Sequence, residues 1–252
     1  MSTEPLVIGS GPRRVLALHG WFGSARGWGP FADLVDGDRY SYAFVDFRGY
    51  GARRSETGEH TIAEMAADAL AAADALGWSA FAVLGHSMGG SVMQRVALDG
   101  GDRVTGLLGT SPVPATGVPF DEQSWQLFSG AAGEREHRHA IIDLTTGGRL
   151  SRTWIDRMVQ SSLDTSDPAA FRAYLDAWAG TDFADEVRGR QVPVRLVVGE
   201  HDPALSAAVM EQTFLQLYPD VSLEVLANAG HYAVFETPVA LLTVVERFLD
   251  GL

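Results

Sequence analysis

Phe81-Ala82-Val83-Leu84-Gly85-His86-Ser87-Met88-Gly89-Gly90 decides how the rest of the chain is read. Four apolar residues form a buried strand, and the segment from 91 to 98 forms a helix. Gly-x-Ser-x-Gly lies between them. The pentapeptide alone is weak: with 28 glycines in 252 residues, about 0.2 matches are expected by accident over all the serines. Its setting gives it weight. A serine on a sharp strand-to-helix turn takes strained backbone angles, and small neighbours let the chain turn and leave the hydroxyl exposed at the sheet edge. Ser87 is therefore the candidate nucleophile.

Outward from this turn, short apolar runs recur. Val15-Leu16-Ala17-Leu18 and Tyr42-Ala43-Phe44-Val45 precede it; Val104-Thr105-Gly106-Leu107-Leu108, Val194-Arg195-Leu196-Val197-Val198 and Leu223-Glu224-Val225-Leu226 follow. Runs of four or five residues bounded by glycine or polar residues fit parallel strands covered on both faces. Helical patterns separate them. Thr61-Ile62-Ala63-Glu64 reads as a capping box, with Glu64 bonding back, for a helix that Gly77 ends. Further helices are expected at 206–217 and at 239–249, the latter after Pro238. The expectation is an α/β fold: a mostly parallel central sheet with helices on both faces. No strand is evident from 113 to 190, where 154–162 and 168–179 read as helices. Segments 1–112 and 191–252 are thus read as the core, and 113–190 as a helical insertion.

Composition narrows the chemistry. Charged residues make up 20% and hydrophobic residues 46% of the chain, ordinary values for a globular enzyme. The net charge of −13 makes nucleic acid an unsuitable partner. All 19 basic residues are arginine, so no lysine can form a Schiff base. Without cysteine there is no disulfide and no thiolate chemistry. Met1-Ser2-Thr3-Glu4-Pro5 has no leader pattern, and no apolar run is long enough to span a bilayer, so a cytoplasmic location away from membranes is expected. The partner is read as a small-molecule substrate, with monomer or homo-oligomer open. No cofactor and no metal are expected.

A serine needs a base, and the base needs an orienting carboxylate. His231 follows the last strand, which puts it at the sheet end that carries Ser87. Asp202, in Gly199-Glu200-His201-Asp202-Pro203, follows the strand at 194–198. Asp182, Asp185, Glu186 and Glu200 compete with it, and only Glu200 shares the strand end. His19 reads as structural, His86 as pointing away from the Ser87 hydroxyl, and His137 and His139 as exposed. An oxyanion needs backbone donors: Met88, at a helix start, and Trp21, with Phe22 as rival, in the turn after the first parallel strand.

His19-Gly20-Trp21, Asp46-Phe47-Arg48-Gly49-Tyr50-Gly51, Gly85 to Gly90, Gly199 to Asp202 and Gly230-His231 occur in that order across nearly the whole chain. In these motifs the sequence resembles the α/β-hydrolase superfamily, in its serine-nucleophile branch. The resemblance implies the α/β-hydrolase fold, a triad of Ser87, Asp202 and His231, and a helical cap formed by the insertion. It implies a structural role for the loop at 46–51, where Arg48 reads as an ion-pairing residue. The sequence departs from the family in having one early strand, near Leu6-Val7-Ile8, where a hairpin is usual. Gly109-Thr110-Ser111-Pro112 offers no acid at the position some relatives use, which strengthens Asp202.

The expected activity is that of a carboxylesterase on hydrophobic substrates of small to medium size, working through an acyl-serine. A carbon–carbon bond hydrolase, lactonase, thioesterase or perhydrolase would use the same triad, and a silent ligand-binding protein or a cofactor-free oxygenase would use the same scaffold. Phe22, Trp125, Trp154, Trp178 and Tyr232 are the expected substrate contacts, with Phe120, Phe128, Phe171 and Tyr174 as further aromatic residues of the insertion. Arg135, Arg138, Arg149, Arg152 and Arg157 read as solvated partners for its acids.

Overall fold

The structure, a computed structural model, describes residues 4–252, so the reading of Met1-Ser2-Thr3 falls outside the described residues. Seven strands form one sheet: β1 (Leu6–Ile8), β2 (Arg13–Leu18), β3 (Tyr40–Val45), β4 (Phe81–His86), β5 (Val104–Thr110), β6 (Val194–Gly199) and β7 (Val221–Leu226). Their order is β1-β3-β2-β4-β5-β6-β7. Every pair is parallel except β1 with β3, where Leu6 faces Phe44. The single early strand thus lies antiparallel at the sheet edge. All six residues of β3 and of β4 are buried, which is why these strands read as unbroken apolar runs.

The helices are α1 (Gly29–Asp33), α2 (Ile62–Ala75), α3 (Met88–Gly100), α4 (Glu122–Gly130), α5 (Arg135–Thr145), α6 (Arg152–Thr165), α7 (Pro168–Gly180), α8 (Ala184–Val187), α9 (Ala207–Gln212), α10 (Phe214–Leu217), α11 (Ala233–Glu236) and α12 (Pro238–Asp250). Met65 of α2 and Val92 of α3 pack with Val83 of β4 and Leu196 of β6 on one face of the sheet. Phe31 of α1 and Leu241 and Val244 of α12 pack with Val15 and Leu84 on the other. Helices therefore cover both faces. The five helices α4 to α8 all lie between β5 and β6, with no strand among them.

Two local expectations are corrected. Thr61 does cap α2, accepting the Glu64 amide at 3.1 Å. The Glu64 carboxylate, however, accepts the amides of Glu59 and His60 at 3.1 and 2.9 Å instead of reaching back to Thr61. His60 sits at φ +54°, and this turns both amides toward the helix. The helix expected over 206–217 breaks in two at Thr213, with φ −122° and ψ −87°. The Thr213 hydroxyl donates to the Val209 carbonyl at 2.7 Å, a local bond that competes with the helical ladder.

Because β2 to β7 run in parallel, their C-terminal ends share one edge of the sheet. The residues just past those ends are His19, Asp46, Ser87, Ser111, Glu200 and, after a short turn, Asn228.

Candidate active site

Ser87 occupies the turn between β4 and α3 at φ +53° and ψ −119°, the left-handed half of backbone space that a side chain rarely enters. Its amide donates to the Thr110 carbonyl at 3.1 Å, and its carbonyl accepts the amides of Gly90 and Val113 at 2.7 and 2.9 Å. Three backbone bonds hold the strained residue in place. The flanking glycines are a matter of space. A Cβ on Gly89 would lie 2.2 Å from the Leu18 carbonyl oxygen, and one on Gly85 would lie 2.4 Å from the Gly89 oxygen. The turn can only form where the chain approaches itself without side chains.

Asp202 follows β6 and is buried. Its Oδ1 accepts the amides of Ala204 and Leu205 at 3.0 and 3.1 Å. Its Oδ2 accepts Nδ1–H of His231 at 2.7 Å. Burial opposes ionisation of this carboxyl, but the charge and hydrogen bond of His231 and the Leu205 amide outweigh it and hold the group below its ordinary range. With Nδ1 engaged, Nε2 is the free nitrogen of His231, and Ser87 and His231 line the same cavity.

Of the other histidines, His137 and His139 are half-buried, a correction to their expected exposure. His86 is buried beside the serine, and its Nε2 donates to the His231 carbonyl at 2.9 Å. Burial, reinforced by the neighbouring His231, pushes it down to about 3, so it is neutral. His19 donates from Nδ1 to the Gly20 carbonyl at 2.8 Å and accepts the Phe47 amide at Nε2 at 3.3 Å. Asp46 accepts the amides of Ala25 and Ala52 at 2.7 and 2.9 Å, and Arg48 grips both oxygens of Asp68 at 2.9 and 3.0 Å. The His19 and Ala25 bonds tie the loop at 46–51 to the segment after β2, and Arg48 ties it to α2. His137 and His139 face separate carboxylates, Glu134 at 3.6 Å and Asp156 at 3.7 Å. No group of three or more metal-ligating side chains is found among the described residues.

The turn after β2 is held at its carbonyl and its side chain. Tyr50 donates from its hydroxyl to the Trp21 carbonyl at 2.9 Å, and Trp21 Nε1 donates to the Phe171 carbonyl at 2.7 Å. Among the turn, loop and cap bonds of the described residues, none uses the amides of Trp21, Phe22 or Met88.

A cavity of about 60 Å3 opens over Ser87. Phe22, Trp178 and Tyr232 line it, with Phe120, Phe128 and Ile141. Trp125 and Trp154 stand back from it. Trp125 packs behind Phe120, ring centroids 6.0 Å apart, and Trp154 packs edge-on against Tyr232 at 5.8 Å. Thr145 and Leu205 also line the cavity, and neither is among the contacts expected from the sequence. Two signals bore on them: Leu205 follows Asp202 by three residues, and Gly147-Gly148 marks a tight turn just after Thr145. Two arginines of the 113–190 segment also depart from expectation. Arg138 is buried and has no carboxylate partner among the described residues, and Arg149 pairs with Glu236, outside the segment.

Over residues 15–244 the chain matches the alpha/beta hydrolase family. It is 26% identical over 249 residues to the dihydrolipoyllysine-residue acetyltransferase component of an acetoin cleaving system from Cupriavidus necator; the match covers 96% of this chain but only 65% of that protein's length. It is 25% identical over 252 residues to a pimeloyl-[acyl-carrier protein] methyl ester esterase from Serratia marcescens, covering 96% of each chain. A solved hydrolase from Oleispira antarctica shares the fold with a TM-score of 0.87 at 17% identity, over 99% of this chain and 96% of that one. With the family match running from the first parallel strand into the last helix, this chain belongs to the alpha/beta hydrolase family.

Proposed function

We propose that this hydrolase cleaves a neutral ester with a short hydrophobic acyl group, through an acyl intermediate on Ser87. The observation that carries the reading is the convergence of Ser87 and the Asp202–His231 pair on one apolar cavity at the end of the sheet. His231 takes the Ser87 proton as the hydroxyl attacks the carbonyl carbon. Asp202 holds the imidazole with Nδ1 protonated and stabilises the cation that forms. The amides of Met88 and Trp21 receive the oxyanion; Met88 stands at the N-terminus of α3, where the helix dipole favours negative charge. His231 then protonates the departing alcohol and activates the water that releases the acid.

The size of the cavity bears on the substrate. About 60 Å3 is well below the roughly 150 Å3 of an apolar cavity that accepts a benzene ring. An acetyl to butyryl group fits this better than a long chain, and the aromatic lining makes the acyl group hydrophobic. Segment 113–190 acts in this reading as a cap, supplying Phe120, Phe128 and Trp178 to the wall. The methyl ester esterase among the relatives supports ester chemistry.

Ser87→Ala tests the assignment. Turnover of a p-nitrophenyl butyrate probe should fall by roughly three or more orders of magnitude with the fold intact, as loss of a nucleophile does. Near-full activity in that variant would remove Ser87 from the reaction. Across acetyl to dodecanoyl esters the rate should peak at four carbons or fewer; equal rates throughout would contradict a small acyl pocket.

A further inference from the structure

Every backbone polar group of His231 is engaged, and one of its partners comes from the helical segment. Its carbonyl accepts His86 Nε2. Its amide donates at 3.1 Å to the carbonyl of Thr145, the last residue of α5. The amides on either side, those of Gly230 and Tyr232, both donate to the Glu236 carboxylate, at 2.8 and 3.0 Å. Glu236 therefore brackets the histidine, one oxygen on each neighbour. Its side chain is only 3% exposed, and its cation is Arg149, from the turn between α5 and α6. The same nitrogen of Arg149, Nη2, donates to the Asn228 carbonyl at 2.9 Å, at the start of the histidine loop.

The turn that carries Arg149 is built for this approach. Gly147 and Gly148 both have positive φ, +74° and +65°, and reverse the chain just after α5. A Cβ on Gly230 would lie 2.7 Å from Cα of Thr146, so the two loops touch backbone to backbone. A buried carboxylate without its cation is costly, so the loop geometry that Glu236 sets depends on Arg149 remaining in place.

Resting on the triad proposed above, we propose that Arg149 and Glu236 are positioning residues for His231, and that the α5–α6 turn is a fixed support of the base. The cap is thereby part of the catalytic frame. An imidazole that is free to shift or rotate presents Nε2 to Ser87 for less of the time, and this lowers turnover without changing the acyl pocket.

Arg149→Met removes both contacts and keeps an unbranched stem. It should lower kcat about tenfold and leave KM for p-nitrophenyl butyrate within twofold. Both contacts come from one nitrogen, so Arg149→Lys should restore most of the loss. The low-field proton resonance of Nδ1–H in the Asp202–His231 bond should broaden in Arg149→Met and sharpen again in Arg149→Lys. Should the single variant fail to fold around its unpaired carboxylate, Arg149→Met with Glu236→Gln removes both charges, and it should still turn over slowly with KM preserved. A folded Arg149→Met, or the double variant, with wild-type kcat and an unchanged Nδ1–H resonance would overturn the proposal, even with a lowered Tm. So would equal losses in Arg149→Lys and Arg149→Met. Failure of the triad reading is distinguishable, since it would appear as activity in Ser87→Ala.

Discussion

At the sheet edge, position is set by the backbone; in the segment 113–190, it is set largely by side chains. Ser87 is held by three main-chain bonds, and Asp202 is anchored by two amides of its own loop. The helical segment has no strand ladder to fix it against the core. It meets the core through a few main-chain bonds, such as Asp167 to the Gly49 carbonyl at 2.7 Å and His231 to the Thr145 carbonyl at 3.1 Å, through the Arg149–Glu236 pair, and through aromatic contact around one buried cation. Arg138 lies 3.8 Å above the ring of Phe171, which stacks on Trp21 at 4.0 Å between centroids. The Arg138 guanidinium also donates to the Ala131 carbonyl and to the hydroxyls of Ser162 and Ser166, at 2.8, 2.6 and 3.1 Å. Backbone bonding tolerates many side chains, whereas a knot of this kind depends on each one. Away from Gly85 and Gly89, where a side chain would collide with backbone, the sheet edge should therefore be the tolerant region and the helical segment the brittle one.

Arg138 is where that contrast is easiest to break. Burial draws it down to about 10, so its charge is held at a cost. Arg138→Ala leaves a cavity and strips three acceptors of their donor, and should destabilise by about 3–5 kcal/mol in urea unfolding. Arg138→Met fills the volume without the charge and should lose less than about 1.5 kcal/mol, because an apolar replacement relieves the desolvation. If both variants cost the same, the hydrogen bonds hold the segment and the stack over Phe171 contributes little.

At the sheet edge, the corresponding liability is protonation. The folded protein keeps His86 neutral down to about 3, while the unfolded chain takes up its proton near 6.5. Across that interval the unfolded state binds more protons, so stability rises with pH and is lost as the solution becomes acidic. Asp202 acts in the same direction but lower. Its folded carboxyl titrates below the ordinary value of 3.8, so its contribution is present above that value and is lost as pH falls through the folded one. Between pH 6.5 and 4.5 the His86 share should be roughly 2 kcal/mol, from about 1.4 kcal/mol per unit. His86→Gln retains a neutral donor for the His231 carbonyl. Its loss of stability over that interval should be smaller than that of the native protein by that amount. Parallel pH curves for the two would assign the acid loss to other groups, His19 first among them.

The same contrast explains what could be read from the sequence. Strand runs such as Phe81-Ala82-Val83-Leu84 announce themselves because both faces are covered, and the parallel direction then carries Ser87, Asp202 and His231 to one edge. Arg138 gave no such sign. An arginine on an amphipathic helix reads as solvated, and only the packing of α6 and α7 around it makes it interior. The break at Thr213 is equally silent in a pattern whose apolar spacing continues through it. Glu236 is not legible in the sequence because its partners are main-chain amides and an arginine 87 positions earlier in the chain.

The smallest effect tests how far the side-chain knot reaches into substrate choice. Trp125 and Trp178 are both tryptophans on helices of the same segment, and sequence alone treats them alike. Trp178 meets the cavity, packed edge-on to Trp21 at 5.7 Å. Trp125 lies behind Phe120, with the Arg172 guanidinium 5.2 Å from its ring. Trp178→Ala enlarges the pocket, so it should raise KM for butyryl esters several-fold and shift the best chain length upward. Trp125→Leu keeps an apolar group behind Phe120 and should leave kcat/KM within twofold across the acyl series. A change in chain-length preference in Trp125→Leu would mean that Phe120 follows its support, and that the substrate is read by two layers of aromatic side chains.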